Sequence, residues 1–501
     1  MTALTRRDVL RLASAAGAGA LLGGPLARTA FAATTQDYDD GNSDVPGGLS
    51  GDPERVIVVG AGWAGLTVAN ALRNAGVDHV VLDGRDRIGG RAHTASVGGV
   101  PIDLGCSWIH GPIGNPMTKF AEQAGVARTD GNVEEDAMIF RFYDGFLARE
   151  LNPLEKFQAL GYAFRFAEVD SASLADELGP RASVRDGAQV YMDRQGLQGP
   201  ARRHTEFIIR LLSEFVYGTD WAQMSLQYWS YANSESTYLG TGEGEFPEGG
   251  YTRLYTAMAG PQRVRLGHRV TAIEQRRNGV VVRAVAGRHT VVLRGSHVVV
   301  AVPLGVLKSR TIAFRPGLSA AKNAAMARVG FGDVEKVAMV FDEAFWSDTT
   351  HRHMFYVSEH APMEWPYFVD MNRTHHVPAL VAFYGGPFAL GLRRLDGAAR
   401  LAFVLDRLDE IMGYRVPRPH AVATTDWLND RYSRGSYTAM RVGATPDDLD
   451  TLAAPMGGRV LFAGEATNRA RHSTADGAMS SGIREAKRLL RRSAVGISAN
   501  A

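Results

Sequence analysis

Apolar residues first fall into a structural period at Val56, Ile57, Val58 and Val59, a continuous β-branched run suited to a strand buried on both faces of a parallel sheet. Leu66, Ala69, Leu72 and Ala75 then recur at helical spacing, and a second short run, His79 to Leu82, ends on Asp83. Much further along, Val337, Met339 and Phe341 alternate with Lys336, Ala338 and Val340, which predicts a strand with Lys336 on the face opposite the apolar triplet. On periodicity alone, such a lysine reads as a solvated residue of an edge strand. Val460, Leu461, Phe462 and Ala463 predict another short buried strand. Ala478, Ile483 and Leu489 lie among the apolar positions of a helix expected from about Asp476 to Leu490.

Ahead of Arg55 the pattern is different. Residues 34–54 are rich in Asp, Gly, Ser and Pro without apolar period and read as a flexible linker, taken here as 33–54. Arg6 and Arg7 precede an uncharged, weakly apolar stretch from Leu12 to Ala27, and Ala30, Phe31 and Ala32 offer a small-residue cleavage site. Residues 1–32 are therefore expected to be a twin-arginine export signal, too short for a membrane span, which takes ~20 apolar residues. The mature protein would be periplasmic or extracellular. That route carries folded proteins, which hints at a prosthetic group acquired before export.

Composition sets outer limits. The 501 residues are 45% apolar and 22% charged, which excludes a disordered chain or a coiled-coil rod, and the length favours two domains over one. With 55 basic and 53 acidic residues there is no electrostatic footprint for nucleic acid. The single cysteine, Cys106, excludes an intramolecular disulfide and reads as a small buried hydrophobe. No His and Cys cluster at zinc spacing, GxSxG elbow or HExxH motif is present, so no metal is expected. Nothing in the pattern signals an oligomeric state.

The first candidate chemistry lies between the two leading strands. Gly60, Gly62 and Gly65 form a GxGxxG turn opening onto the predicted helix, and Asp83 closes the second strand. Unpaired N–H groups and the helix dipole favour an anion at that N-terminus, and a side chain on these glycines would hold a pyrophosphate away. Asp83 could accept hydrogen bonds from the adenosine ribose. The unit thus predicts dinucleotide binding of the Rossmann type, which NAD and FAD share. Arg91, after Gly89 and Gly90, is a plausible further cation for the diphosphate.

Several separated motifs discriminate further. They are VIVVGAGWAGL (Val56 to Leu66), DRIGGR (Asp86 to Arg91), IDLGCSWIHG (Ile102 to Gly111), VAVPLGVLK (Val300 to Lys308), the Lys336 strand, RGSYT (Arg434 to Thr438) and FAGEAT (Phe462 to Thr467). In this order, from about Arg55 to Leu490, the sequence resembles the flavin-containing amine oxidase superfamily. The likeness is strongest to the polyamine oxidase branch, which also includes the lysine-specific histone demethylases. The resemblance implies an α/β fold in which a discontinuous Rossmann-type FAD-binding domain (55–130, 246–318 and 451–492) is interleaved with an α+β substrate-binding domain (131–245 and 319–450). Residues 493–501 would be a tail.

Site residues follow from the same resemblance. Gly60, Gly62 and Gly65 would hold the pyrophosphate, Asp83 and Arg85 the adenosine end, and Gly89, Gly90 and Arg91 the phosphates and ribityl side. Gly464 and Glu465 would meet the ribityl or diphosphate region, the backbone around Ala475 the flavin ring, and Val270 the adenine. Trp427 and Trp108 would pack near the flavin. Many relatives carry Glu where this chain has Asp83, a shorter reach for the same carboxylate. Lys336 resembles the lysine presented through water to flavin N5, Tyr437 the aromatic wall beside the flavin, Thr474 the opposite wall, and His110 a position lining the substrate tunnel. Ser436 stands where monoamine oxidases carry the cysteine that bonds to flavin, which implies noncovalent FAD.

The implied reaction is loss of a hydride equivalent from the α carbon of an uncharged amine to flavin N5, with hydrolysis of the imine and reoxidation by O2 to hydrogen peroxide. A protonated amine has no lone pair to stabilise the developing iminium, so the rate should rise toward alkaline pH. A polyamine is the expected small-molecule substrate. Glu235, Glu243, Glu245 and Glu248 are candidate partners for its cations, while Tyr228, Tyr231, Tyr238 and Phe246 would equally suit an aromatic amine. The alternatives are a monoamine, L-amino acid or cyclic alkaloid amine on the same fold, a dehydrogenase passing electrons to a carrier, or a flavin-stabilised binding protein.

Overall fold

The computed structural model describes residues 55–130, 138–143, 148–229, 244–261, 264–346, 353–358 and 366–498. The expected export signal and linker lie outside them, as do Tyr231, Glu235, Tyr238 and Glu243.

The β-branched run forms the centre of a five-stranded parallel sheet in the order Val264–Arg265, His79–Leu82, Val56–Val59, His297–Val300 and Val460–Phe462. Three distant stretches of chain thus share one sheet. Both of its faces are covered, which is why its strands read as unbroken apolar runs. Val58, Val81 and Val299 pack on one side with Leu66, Ala69 and Leu72 of the helix Trp63–Asn74. Ile57, Val80 and Val298 pack on the other with Val270, Ile273 and Val282 from a four-stranded sheet that includes His268–Arg276 and Gly279–Ala286. The last helix, Ala475–Ser498, lies against Trp63–Asn74 and runs on past Leu490 through part of the expected tail.

A second, mixed sheet of seven strands contains Val334–Val340, which pairs with Ala379–Gly385 on one edge and Ala421–Thr424 on the other. The alternation predicted around Lys336 is present. Val337 and Met339 pack against Val404 and Leu408 of the helix Gly397–Met412, whereas Ala338 and Val340 face Val381 and Phe383. Lys336 is not the solvated edge residue that periodicity suggests, because its strand is interior and covered on both faces. The architecture is the interleaved α/β and α+β arrangement expected from the sequence.

Candidate active site and cofactor cradle

Gly60, Gly62 and Gly65 occupy the turn between the first strand and its helix, and the structure gives two of them opposite surroundings. A Cβ on Gly65 would fall 1.9 Å from the Gly60 carbonyl oxygen, so the helix approaches the strand this closely only with glycine there. A Cβ on Gly62 would meet nothing nearer than 3.9 Å, where Gly89 and Gly90 face it. The helix begins at Gly62 with no side-chain cap. An open methyl-sized space beside an uncapped helix N-terminus is a cradle for a diphosphate, and the group fits the residues present.

Asp83, buried at the end of the second strand, accepts from the N–H groups of Ala61 at 2.7 Å and Arg85 at 2.8 Å. Burial nonetheless holds its carboxyl above the ordinary range. The stretch leading to Val270 is tied beside it, with the His268 N–H donating to the Asp83 carbonyl at 2.7 Å. Arg85 makes a two-pronged ion pair with Asp430 at 2.5 and 2.9 Å and lies over the Trp427 ring at 6.0 Å. It joins the first binding unit to the segment that carries Trp427.

Arg91 closes a second junction. Its Nη1 donates to the Ser436 carbonyl at 2.7 Å and to Glu465 Oε1 at 3.0 Å, while Glu465 Oε2 accepts from the Ser473 N–H at 2.9 Å. Gly464 donates its N–H to Ser481 Oγ of the last helix at 2.8 Å. Thr474 caps that helix. Its hydroxyl accepts from the Gly477 N–H and donates to the Arg471 carbonyl, both at 2.8 Å, and Ala475 opens the first turn. The hydroxyl of Thr474 is therefore engaged within its own helix end.

Lys336 is 4% exposed, and its three N–H bonds all find protein acceptors: the carbonyls of Asp103 at 2.8 Å and Gly105 at 2.6 Å, and Ser107 Oγ at 2.7 Å. Its Nζ lies 4.4 Å from the centre of the Phe383 ring. Burial lowers the ammonium pKa to about 8, against the opposing pull of the Asp103 carboxylate and the Cys106 thiol. Burial in turn raises Asp103 to about 6. A lysine whose charge changes so near neutrality is suited to holding or releasing a proton.

The segment carrying Tyr437 is fixed beside the entry to this strand. Tyr437 pairs with Gly332, and Ser436 Oγ accepts from the Val334 N–H at 2.9 Å while donating to the Val334 carbonyl at 2.8 Å. The Tyr437 hydroxyl donates to the Val216 carbonyl at 2.5 Å, which fixes the ring, and burial pushes the phenol pKa up. His110 stacks on Trp108 with centroids 6.1 Å apart. Burial is the main cause of its lowered pKa, about 4, so the imidazole is neutral at pH 7. Its carbonyl accepts from Arg471 Nη2 at 3.3 Å, and Arg471 is also ion-paired with the buried Asp476.

A cavity beside Ser107 is walled by Trp108, Phe246, Val381, Phe383 and His375. Two other candidate substrate contacts are engaged elsewhere: the Glu245 carboxylate is ion-paired with Arg128 at 2.5 Å, and the Tyr228 ring packs on the cluster around Leu304 and Met440. No group of side chains able to hold a metal ion occurs among the described residues. Sequence reasoning missed Asp103, Ser107, Arg471 and Asp476. The first two lie inside IDLGCSWIHG and were legible as polar positions in a buried stretch. For Arg471 and Asp476 only the opening of the last helix gave a signal.

Residues 63–490 match the family described as flavin containing amine oxidoreductase. The chain is 31% identical over 444 residues to polyamine oxidase 3 of Oryza sativa subsp. japonica, covering 86% of this chain and 88% of that protein. It is 30% identical to probable polyamine oxidase 4 of Arabidopsis thaliana, over 85% of each. A lysine-specific histone demethylase 1 homolog 2 of Oryza sativa subsp. japonica is 33% identical over 87% of this chain and 57% of its own length. Among solved structures, a putrescine oxidase variant superposes with a TM-score of 0.71 at 21% identity, over 88% of this chain and 99% of that one, a likeness of fold. With its parallel sheet, glycine cradle and buried lysine in place, the chain belongs to the flavin containing amine oxidoreductases and is an FAD-dependent amine oxidase similar to polyamine oxidases.

Proposed function

We propose that this enzyme oxidises a polyamine with noncovalently held FAD, and that it acts after export by the twin-arginine route signalled at Arg6 and Arg7. In this reading Gly60, Gly62, Gly65, Gly89, Gly90 and Arg91 receive the diphosphate side. Asp83, Arg85 and Val270 flank the adenosine, and Gly464, Glu465, Trp427 and the backbone at Ala475 take the remainder. The domain division expected from the sequence is kept. Noncovalent attachment is supported by Ser436, a hydroxyl tied to both backbone groups of Val334 where a thiol would be needed. The polyamine assignment draws on the likeness to plant polyamine oxidases over most of both chains.

When bound, the flavin supplies the two-electron acceptor for the α C–H of the amine and is returned to its oxidised form by O2. The chain does the rest. The fixed ring of Tyr437 offers a π face that guides the amine. Thr474, its hydroxyl engaged in the cap, contributes bulk to the opposite wall. His110 stays neutral, so it can hydrogen-bond an uncharged amine without repelling a distant ammonium of the same substrate. Lys336 holds a proton at Nζ below about pH 8 and releases it above. The observation that carries the reading is this buried lysine, fully hydrogen-bonded and pushed toward neutrality.

Anaerobic mixing of the purified yellow protein with spermine, spermidine, putrescine, tyramine and L-amino acids tests it. Spermine or spermidine should bleach the flavin band fastest, and admission of air should restore it with release of peroxide. Bleaching by tyramine or an amino acid alone would overturn the polyamine assignment. Very slow reoxidation would make the enzyme a dehydrogenase.

A further inference from the structure

Of the three acceptors around Lys336, only one can reverse its role. The carbonyls of Asp103 and Gly105 accept hydrogen bonds and never donate, so two N–H bonds of Nζ stay directed at them in either charge state. The third partner, Ser107 Oγ at 2.7 Å, is a hydroxyl and can do both. When Nζ is an amine, its lone pair points along this third direction, and Ser107 must then be the donor. The hydrogen of Ser107 is not firmly held elsewhere. Its other acceptors, the carbonyls of Asp103 and Gly105, lie at 3.4 and 3.5 Å, beyond the usual O–H···O range of about 2.5–3.0 Å. Ser107 also lines the cavity bounded by Trp108, Phe246 and Phe383, whereas Phe383 covers Nζ itself.

We propose that Ser107 is a positioning residue that passes the proton of Lys336 to and from this cavity, its hydroxyl accepting from the ammonium and donating to the amine. The proposal rests on the role given to Lys336 above. In the forward direction one N–H bond of Nζ breaks as an O–H bond forms at Ser107, and the hydroxyl's original proton passes to a solvent water in the cavity and on to buffer. The new O–H already points at the Nζ lone pair. Lys336 loses one proton and no electrons move. The titratable groups acting on Lys336 are Asp103 and Cys106, both on the same turn as Ser107. The flanking strands Ala379–Gly385 and Ala421–Thr424 carry no charged residue.

The test compares the flavin-loaded wild type with Ser107→Ala, Ser107→Thr and Lys336→Met. The first readout is a pH titration of the flavin absorption band without substrate, in which the transition due to Lys336 is the one missing from Lys336→Met. Without its third acceptor the ammonium is less favoured. The transition should therefore fall by about one pH unit in Ser107→Ala, a tenfold change in the proton equilibrium, and remain near its wild-type position in Ser107→Thr. The pH limb of anaerobic flavin reduction should shift in parallel. Superposable curves for Ser107→Ala and wild type would overturn the proposal, as would an equal shift in Ser107→Thr, which would point to packing. Identical titrations for wild type and Lys336→Met would remove Lys336 itself, and the relay with it. If Ser107→Ala does not fold, Ser107→Gly takes its place: its transition should fall by the same margin, and curves superposable on those of the wild type would overturn the proposal.

Discussion

A methyl group added at Gly62 and one added at Gly65 should fail in different ways. At Gly65 the new carbon would sit inside the contact radius of the Gly60 carbonyl oxygen, so the helix Trp63–Asn74 would have to withdraw from the sheet. Gly65→Ala should cost about 1–3 kcal/mol or more and be recovered in low yield. At Gly62 the methyl meets only open space, and Gly62→Ala should melt within about 0.5 kcal/mol of the flavin-free wild type. It should lose flavin, read as the ratio of visible to ultraviolet absorbance, because the methyl fills the diphosphate's approach. Full flavin content in Gly62→Ala would refute the cradle. At this scale the glycine spacing was legible because one turn of about six residues contains the whole requirement. The partners of Lys336 were not legible, since Asp103, Gly105 and Ser107 lie more than 200 residues away in sequence and reach it only through tertiary packing. Arg85 illustrates the same limit. Its sequence context suggests a ligand contact, and its fork is directed at Asp430, 345 residues on.

Among the elements, the strand Val334–Val340 carries a second buried acid–base arrangement on the face away from Lys336. Glu335 accepts from the Trp427 N–H at 2.5 Å, the Leu428 N–H at 3.3 Å and the Thr425 hydroxyl. Its neighbour on that face, Asp333, is 3% exposed, and apart from Glu335 its carboxyl oxygens meet no donor among the described residues. Burial pushes both carboxyls up, with mutual repulsion adding to the shift at Glu335, so the pair retains a proton at neutral pH. The unfolded chain would release that proton near pH 4. Through this pair the folded state binds more protons than the unfolded state from about pH 4 up to the raised values, and the pair's contribution to stability falls as pH rises through that window. Asp333→Asn removes the repulsion and supplies a donor. Its melting temperature should depend less on pH, and it should be more stable than wild type at pH 8 by about 1–3 kcal/mol. A stability difference between Asp333→Asn and wild type that stays constant from pH 5 to 8 would refute the shared proton. Alternation made the strand and its two faces legible, because side chains change sides at every residue. Depth was not, since alternation is the same whether the second face meets solvent or a helix. The π-helical turns Phe166–Asp170 and Leu211–Phe215 also escape the pattern, because each sits within a longer helical run where apolar spacing shifts by a single residue.

For the molecule as a whole, the cofactor cradle is the place where separate stretches of chain meet. The parallel sheet takes its strands from residues 56–82, 264–300 and 460–462, and Arg91 binds Ser436 and Glu465 across its end. The mixed sheet reaches the same region through Lys336 and the 103–107 turn. A diphosphate-bearing ligand seated at Gly62 would add contacts to several of these stretches at once, so it should stabilise the native state without binding the unfolded chain. At a free concentration 1,000-fold above its dissociation constant, that linkage amounts to about 4 kcal/mol. Flavin-free protein should therefore melt well below the loaded protein, and its melting temperature should climb with each tenfold addition of FAD. NADH, which shares the adenosine and diphosphate but lacks the isoalloxazine, should raise it less. With no disulfide to hold the junction, since Cys106 is the only cysteine, the flavin-free form should also unfold over a broader range as the two sheets part. Differential scanning calorimetry with and without FAD decides the point. Equal melting temperatures for loaded and stripped protein would mean that the sheets hold each other unaided and that the cradle contributes nothing to their union.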